Sequence, residues 1–220
     1  EIRRFNQIIK TNMERACENE SPDDLDAATV ELVRAHRASG LISLQLDALD
    51  LLANPAAAMT FLPQRRVLYR VVDKVCRIYR VLAENKHVKL RLTGSSTSEA
   101  RLDERTIHII PSVFIDNAIK YSSEHESIEV HVKDDIRSEG SFIEVSVLSN
   151  GPASTEEEAA RLFSVRGRGE AAKRVAQGSG IGLTLAKIVA DQHHGRISAN
   201  QKRTTSERAE WTFSFRLPRI

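Results

Sequence analysis

The chain has 220 residues, 41% hydrophobic and 28% charged, enough for one large or two modest globular domains. Its net charge of +2 gives no electrostatic case for nucleic acid, and no apolar run reaches the roughly 18 residues a membrane span requires. The two cysteines, Cys17 and Cys76, lack metal-ligand spacing, which fits a reduced, cytoplasmic chain rather than a disulfide scaffold.

Residues 1 to about 20 predict a helix, with Phe5, Ile9, Met13 and Cys17 four apart and no Gly or Pro between them. There is no initiator Met, and the chain opens inside this charged helical pattern; a piece of a longer protein is expected, with any membrane contact made by segments outside it. Ser21-Pro22-Asp23-Asp24 stops one helix and starts another, which runs to about Ala53 on a stripe including Leu25, Val33, Leu46 and Leu52. Such a hairpin cannot bury both apolar faces alone, so pairing with a second copy as a four-helix bundle is expected. Residues 56–63 read as a linker. After it, Val67–Asn85 is helical and Val88–Leu92 alternates as a strand; a polar loop runs over 93–100 and a helix from about Asp103 to Tyr121. Ile128–Val132 and Ile143–Leu148 are strands separated by a turn-rich 134–140. A helix over 184–194 and strands at Arg196–Ala199 and Trp211–Phe215 complete an α+β sandwich with antiparallel strands covered on one face.

Three pieces carry chemistry. Gly178-Ser179-Gly180-Ile181-Gly182-Leu183 bares the backbone just before a helix, where free N–H groups and the helix dipole favour an anion. Arg166 and Arg168, in a glycine-broken segment before it, add positive charge. Asp116-Asn117-Ala118-Ile119-Lys120-Tyr121 ends a helix, and Asn117, Lys120 and Tyr121 share one face. An amide oxygen suits Mg²⁺, a lysine one turn on can meet a phosphate, and a tyrosine can cover an adenine. Val147 to Pro152 is a strand running into a turn. Taken singly, each piece also reads as an ordinary turn or helix end.

In this order the pieces resemble the Bergerat nucleotide-binding fold shared by histidine kinases, gyrase-type topoisomerases, Hsp90 and MutL. Asp116 to Tyr121 looks like the N box, Ser149 to Ala153 sits at the first glycine box, Phe163 fits the F box and Gly178 to Leu183 matches the second glycine box. The Asn-Ala-Ile-Lys-Tyr wording and the length of the lid resemble the histidine kinases. The resemblance implies an ATP-binding domain over 64–220 in which Asn117 holds Mg²⁺, Lys120 and Arg168 meet phosphates and Tyr121 packs on adenine. The residues from Gly151 to Gly182 would frame a lid over ATP. It also implies a dimerising phosphoacceptor hairpin over 1–55 and a response regulator receiver domain as partner.

Four positions depart from that pattern, among them Ile8 in place of the acid after the histidine and Ala153 in place of the second glycine of the first glycine box. In Phe5-Asn6-Gln7-Ile8-Ile9-Lys10-Thr11, similar to an H box, Gln7 stands where the phosphoacceptor histidine belongs; an amide has no nucleophilic imidazole nitrogen. His36 lies too near Asn117 for a full hairpin to follow it. Ser149 stands where an aspartate usually accepts the adenine amino group, which forgoes a charge-assisted bond worth on the order of 1 kcal/mol. The implied reading is a histidine kinase core in which Gln7 is either engineered or naturally degenerate. The alternative is a non-catalytic, ATP-binding scaffold dimer that regulates a partner.

Overall fold

The computed structural model describes residues 61–137, 140–164 and 181–220, together with eight isolated helical positions between 35 and 53. The expected hairpin, Gln7 and His36, and most of the linker lie outside the described residues; of the 35–53 positions, Ser39 and Gly40 are buried and Gly40 lies against Ile78.

Strand β1 (Gln64–Val67) leads into helix α1 (Leu68–Asn85), whose buried Leu68, Val72, Val75, Cys76, Tyr79 and Ala83 recur at helical spacing. The helix ends on Lys86, with His87 beyond it at φ 55°, the left-handed conformation glycine usually supplies. Burial pushes the Cys76 thiol up to about 12, so this cysteine behaves as a core hydrophobe. Then come β2 (Lys89–Gly94), β3 (Glu99–Leu102), helix α2 (Ile109–Tyr121), β4 (Ser127–Arg137) and β5 (Gly140–Pro152). A short helix α3 (Glu156–Ala160) follows, opened by a capping box between Thr155 and Glu158. Helix α4 (Gly182–Gln192), β6 (Arg196–Arg203) and β7 (Arg208–Pro218) close the chain.

The main sheet has the order β2-β4-β5-β7-β6. All its pairings are antiparallel except β2–β4, which is parallel; this corrects the wholly antiparallel expectation. The connection between those two strands carries α2, as a parallel crossover requires. A separate ribbon pairs β1 with β3, neither of which the sequence reading identified as a strand. α1 packs on β2, α2 on β4 and β5, and α4 on β6. One sheet face, with Ile128, Val130, Val132, Ile143, Val145, Val147, Phe215 and Leu217, is buried beneath the helices. The other carries polar pairs such as Lys133–Glu144 at 3.2 Å and Ser198–Ser214 at 2.8 Å. This is the α+β architecture expected, with a sheet covered on one side.

Several boundaries move. α2 starts at Ile109, not Asp103: the preceding residues form a turn in which Thr106 and Ile107 donate to the Asp103 carbonyl, and Pro111 falls in the helix's first turn, where it forfeits no helical bond. β4 and β5 run to Arg137 and from Gly140, far into the expected turn; Asp134 pairs with Ile143 and Asp135 with Phe142. β5 also continues through Asn150, Gly151 and Pro152, because β7 pairs with it along that whole length.

At the entrance to the domain, Asp103 forms a node. Its carboxylate accepts from the Leu62 N–H at 3.0 Å and from Arg105 through the backbone N–H, Nε and Nη2. Its own N–H donates to Nε2 of buried His193 at 3.0 Å, while His193 Nδ1 donates to Val189 O at 2.8 Å. Phe61 meets the His193 ring edge-on at 4.9 Å. The first described residues of the domain are thereby tied to the C-terminal end of α4.

Candidate functional site

Helix α2 is apolar on most of its circumference, with Ile110, Phe114, Ile115, Ala118 and Ile119 buried. Along one line it is only half-buried: Val113, Asn117 and Tyr121, four residues apart and therefore one above another. The two ends of that line meet glycines. A Cβ on Gly182 would lie 3.3 Å from Val113 Cγ1, and one on Gly151 would lie 3.5 Å from Tyr121 Cβ. Asn117 sits midway. The structure thus sets Gly151 and Gly182, distant from this helix in sequence, at the two ends of the line that holds Asn117.

The C-terminal end of α2 is fixed from outside. Lys86 Nζ donates to the Ile119 and Lys120 carbonyls, 2.7 Å each. Arg208 donates to Tyr121 O at 3.4 Å and to both Glu126 oxygens at 2.7 and 2.8 Å. These cations satisfy carbonyls that a helix end leaves without partners, and they oppose the negative end of its dipole. Ser122 Oγ donates to Asn150 O at 3.3 Å, joining the helix end to β5. Lys120 Nζ is paired with Asp116 one turn back. Tyr79 of α1 is buried behind this helix; burial, then the Asp116 charge, pushes its hydroxyl upward, partly offset by a hydrogen bond to Ser112.

Ser149 is buried on β5 and lies opposite Trp211 of β7. Trp211 Nε1 donates to Pro152 O at 2.9 Å. At the other end, α4 begins after Ile181, an apolar residue that supplies no side-chain cap. Leu183 packs against both apolar clusters, Ile181 and Phe163 against the main core, and Thr184 Oγ1 donates to Ser164 O at 3.0 Å. That bond ties the residue after Phe163 to the first turn of α4. Arg166, Arg168, Gly178, Ser179 and Gly180 lie outside the described residues, as does Gln7.

Sequence reasoning missed Lys86, Arg208, Glu126 and Trp211. For Lys86 a signal existed, a lysine just past a helix end. For the other three there was none, because their positions depend on how β7 meets β5 and α2.

Among the described residues no group of three or more His, Cys, Asp or Glu is placed to hold a metal ion. The half-buried Asn117 amide is a hard oxygen ligand of the kind a nucleotide-borne magnesium ion takes from a protein. The site therefore offers one amide ligand, a helix N-terminus and an aromatic ring along a single line.

Residues 102–220 match the family described as histidine kinase-, DNA gyrase B-, and HSP90-like ATPase. The sensor-like histidine kinase SenX3 of Mycobacterium tuberculosis is 28% identical over 151 residues, which are 68% of this chain and 35% of SenX3. The chain thus spans about a third of that relative's length. Among solved structures, the mycobacterial sensor histidine kinase MprB superposes with a TM-score of 0.60 at 19% identity, over 72% of this chain and 98% of that one. Full-length ShkA in complex with AMPPNP gives a TM-score of 0.60 at 20% identity, over 99% of this chain and 44% of its own. At these identities the structural likeness establishes the fold, a Bergerat-type α+β sandwich.

Proposed function

The chain belongs to the histidine kinase-, DNA gyrase B-, and HSP90-like ATPase family, and on that premise we propose that it is the core of a two-component sensor histidine kinase that binds Mg-ATP. In this reading residues 1–55 form the dimerising phosphoacceptor hairpin, 56–63 the linker and 64–220 the catalytic domain. The observation that carries it is the line Val113–Asn117–Tyr121 running between Gly182 and Gly151. It supports a nucleotide lying along α2, with its phosphates at the start of α4 and its base near Tyr121 and β5.

Asn117 would hold the magnesium ion, which when bound neutralises phosphate charge. Positioning and charge neutralisation supply most of what phosphoryl transfer needs. Ser179, Gly180 and the first N–H groups of α4 would meet phosphate oxygens, with Arg166 and Arg168 adding charge and Phe163, Ile181 and Leu183 seating both ends of the segment between them. Lys120 would have to exchange its pairing with Asp116 for a phosphate. The γ-phosphoryl group would pass to an H-box histidine and then to a response regulator receiver domain. In this chain the H-box position is Gln7, which cannot accept it.

Calorimetry with ATP and Mg²⁺ tests the site: binding is expected in the parent chain and lost in Asn117→Ala. Gln7→His with γ-labelled ATP tests the transfer; absence of label on a folded, ATP-binding Gln7→His protein would sink the active-kinase reading. Gln7 and Ser149 favour a second reading, a dimeric scaffold that binds nucleotide and regulates a partner kinase or response regulator without transferring phosphate. A water-activating ATPase of the gyrase or Hsp90 kind is disfavoured, since Val113 stands where a carboxylate would activate water and packs on Gly182 instead.

A further inference from the structure

Trp211 is the chain's single tryptophan and the direct cross-strand partner of Ser149. Directly opposed residues point to the same face of a sheet, so the indole and the serine hydroxyl share one corner. The indole is 6% exposed. Phe213 stacks on it at 5.5 Å with 22° between the rings, and a Cβ on Gly151 would come within 3.3 Å of its Cδ1. Its N–H is committed to the Pro152 carbonyl, and Ala153, Leu162 and Ala209 pack around it. The ring is therefore a filler and not a platform: the side toward Phe213, the edge toward Gly151 and the polar edge are all in use.

Gly151 lies between this indole and Tyr121, at the end of α2 where the proposed base would sit. A base is read strongly only when buried polar groups bond its edge. An apolar pocket without such bonds discriminates by roughly 10–200-fold at most. Here the corner holds a small neutral hydroxyl and a large indole with no donor to spare. Resting on the nucleotide reading above, we infer that Trp211 determines specificity at this site: its indole closes the polar corner beside Ser149 and Gly151, so that the site grips the phosphates and gains little from the base.

Calorimetry of the full chain with Mg²⁺ and, separately, ATP, GTP and inorganic tripolyphosphate tests this. In the parent chain ATP and GTP are expected within about 3-fold of each other, and tripolyphosphate within about 10-fold of ATP. Trp211→Ala opens the corner, so ATP affinity rises about 10-fold or more while tripolyphosphate affinity changes less than about 2-fold. Trp211→Leu, which retains more of the packing, is expected to shift ATP by about 3-fold in the same direction. A merely structural tryptophan would weaken all three ligands together. A parent chain preferring ATP over tripolyphosphate by more than about 10-fold overturns the inference and leaves the nucleotide reading standing. So does an unchanged ATP-to-tripolyphosphate ratio in a folded Trp211 variant. Failure of all three ligands to bind the parent overturns both. If neither variant melts cooperatively, the parent ratios alone decide.

Discussion

Replacing Asp103 by asparagine removes a charge from a carboxyl whose side chain is 5% exposed, while nearly preserving its shape. Burial pushes this carboxyl's pKa up. The Arg105 side chain, the Leu62 and Arg105 N–H groups and the Arg105 charge outweigh burial and hold it at about 2, against an ordinary 3.8. A depressed carboxylate pKa stabilises the fold above the unfolded-chain value, and that stability is lost as pH falls through the folded one. A drop of a little under two pH units, at about 1.4 kcal/mol each, is worth about 2 kcal/mol at pH 7. About half of it should be gone by pH 3. Urea unfolding of the parent chain and Asp103→Asn at pH 7, 5, 4 and 3 measures the difference directly. The expected gap is about 2 kcal/mol at pH 7 and 5, narrowing below pH 4. A gap of the same size at pH 7 and pH 3 would refute the electrostatic account and leave only a packing role for Asp103.

His193 titrates in a separate window. Burial lowers its pKa, with the Val189 hydrogen bond, the nearby Asp103 charge and His194 acting on it less strongly; the unfolded chain therefore takes up the proton first, and stability declines as pH falls below about 6.5. In His193→Gln, unfolding midpoints between pH 7.5 and 5.5 should flatten relative to the parent. Lys86→Met keeps the aliphatic stem but leaves the Ile119 and Lys120 carbonyls to water, which should cost about 1–2 kcal/mol in urea and weaken Mg-ATP binding. Gly94→Ala would place a Cβ 2.2 Å from the Val132 carbonyl oxygen at φ +73°, so a loss above about 2 kcal/mol is expected by thermal or chemical unfolding. His87→Gly acts in the opposite sense. Glycine takes φ 55° without strain, and a gain of about 0.5–1 kcal/mol in the unfolding free energy is expected.

Periodicity made the three long helices legible because each has an unbroken apolar line. It revealed the inner strands because Ile128-Glu129-Val130 and Ile143-Glu144-Val145 alternate cleanly. Direction is another matter. Alternation is the same in either sense, so nothing in Leu90 or Val130 distinguishes a parallel from an antiparallel β2–β4 pair. β1 escaped notice because Gln64-Arg65-Arg66 carries no apolar residue, and its strand character comes from pairing with Ala100 and Leu102 on β3. Asp134 and Asp135 look like a turn, yet they extend β4 because β5 pairs with them, and Arg216 lies 3.5 Å from Asp135. At the site, Asn117 and Tyr121 were legible from helical spacing and Gly151 and Gly182 from their motifs. Trp211 was not, since only the β5–β7 register sets it beside Ser149.

Among the described residues, the order β2-β4-β5-β7-β6 leaves β2 and β6 each with an open side. Open strand edges invite a second chain to continue the ladder, the route by which sheets fuse and aggregate. Here both rims carry exposed cations: Lys89 and Arg91 on β2, Arg196, Lys202 and Arg203 on β6. Laid rim to rim, two copies would bring these like charges together, with no acidic residue on β2 or β6 to relieve them. The sheet is thereby electrostatically sealed at its ends, and association between copies of this domain has to be carried by side-chain surfaces, not by a shared ladder.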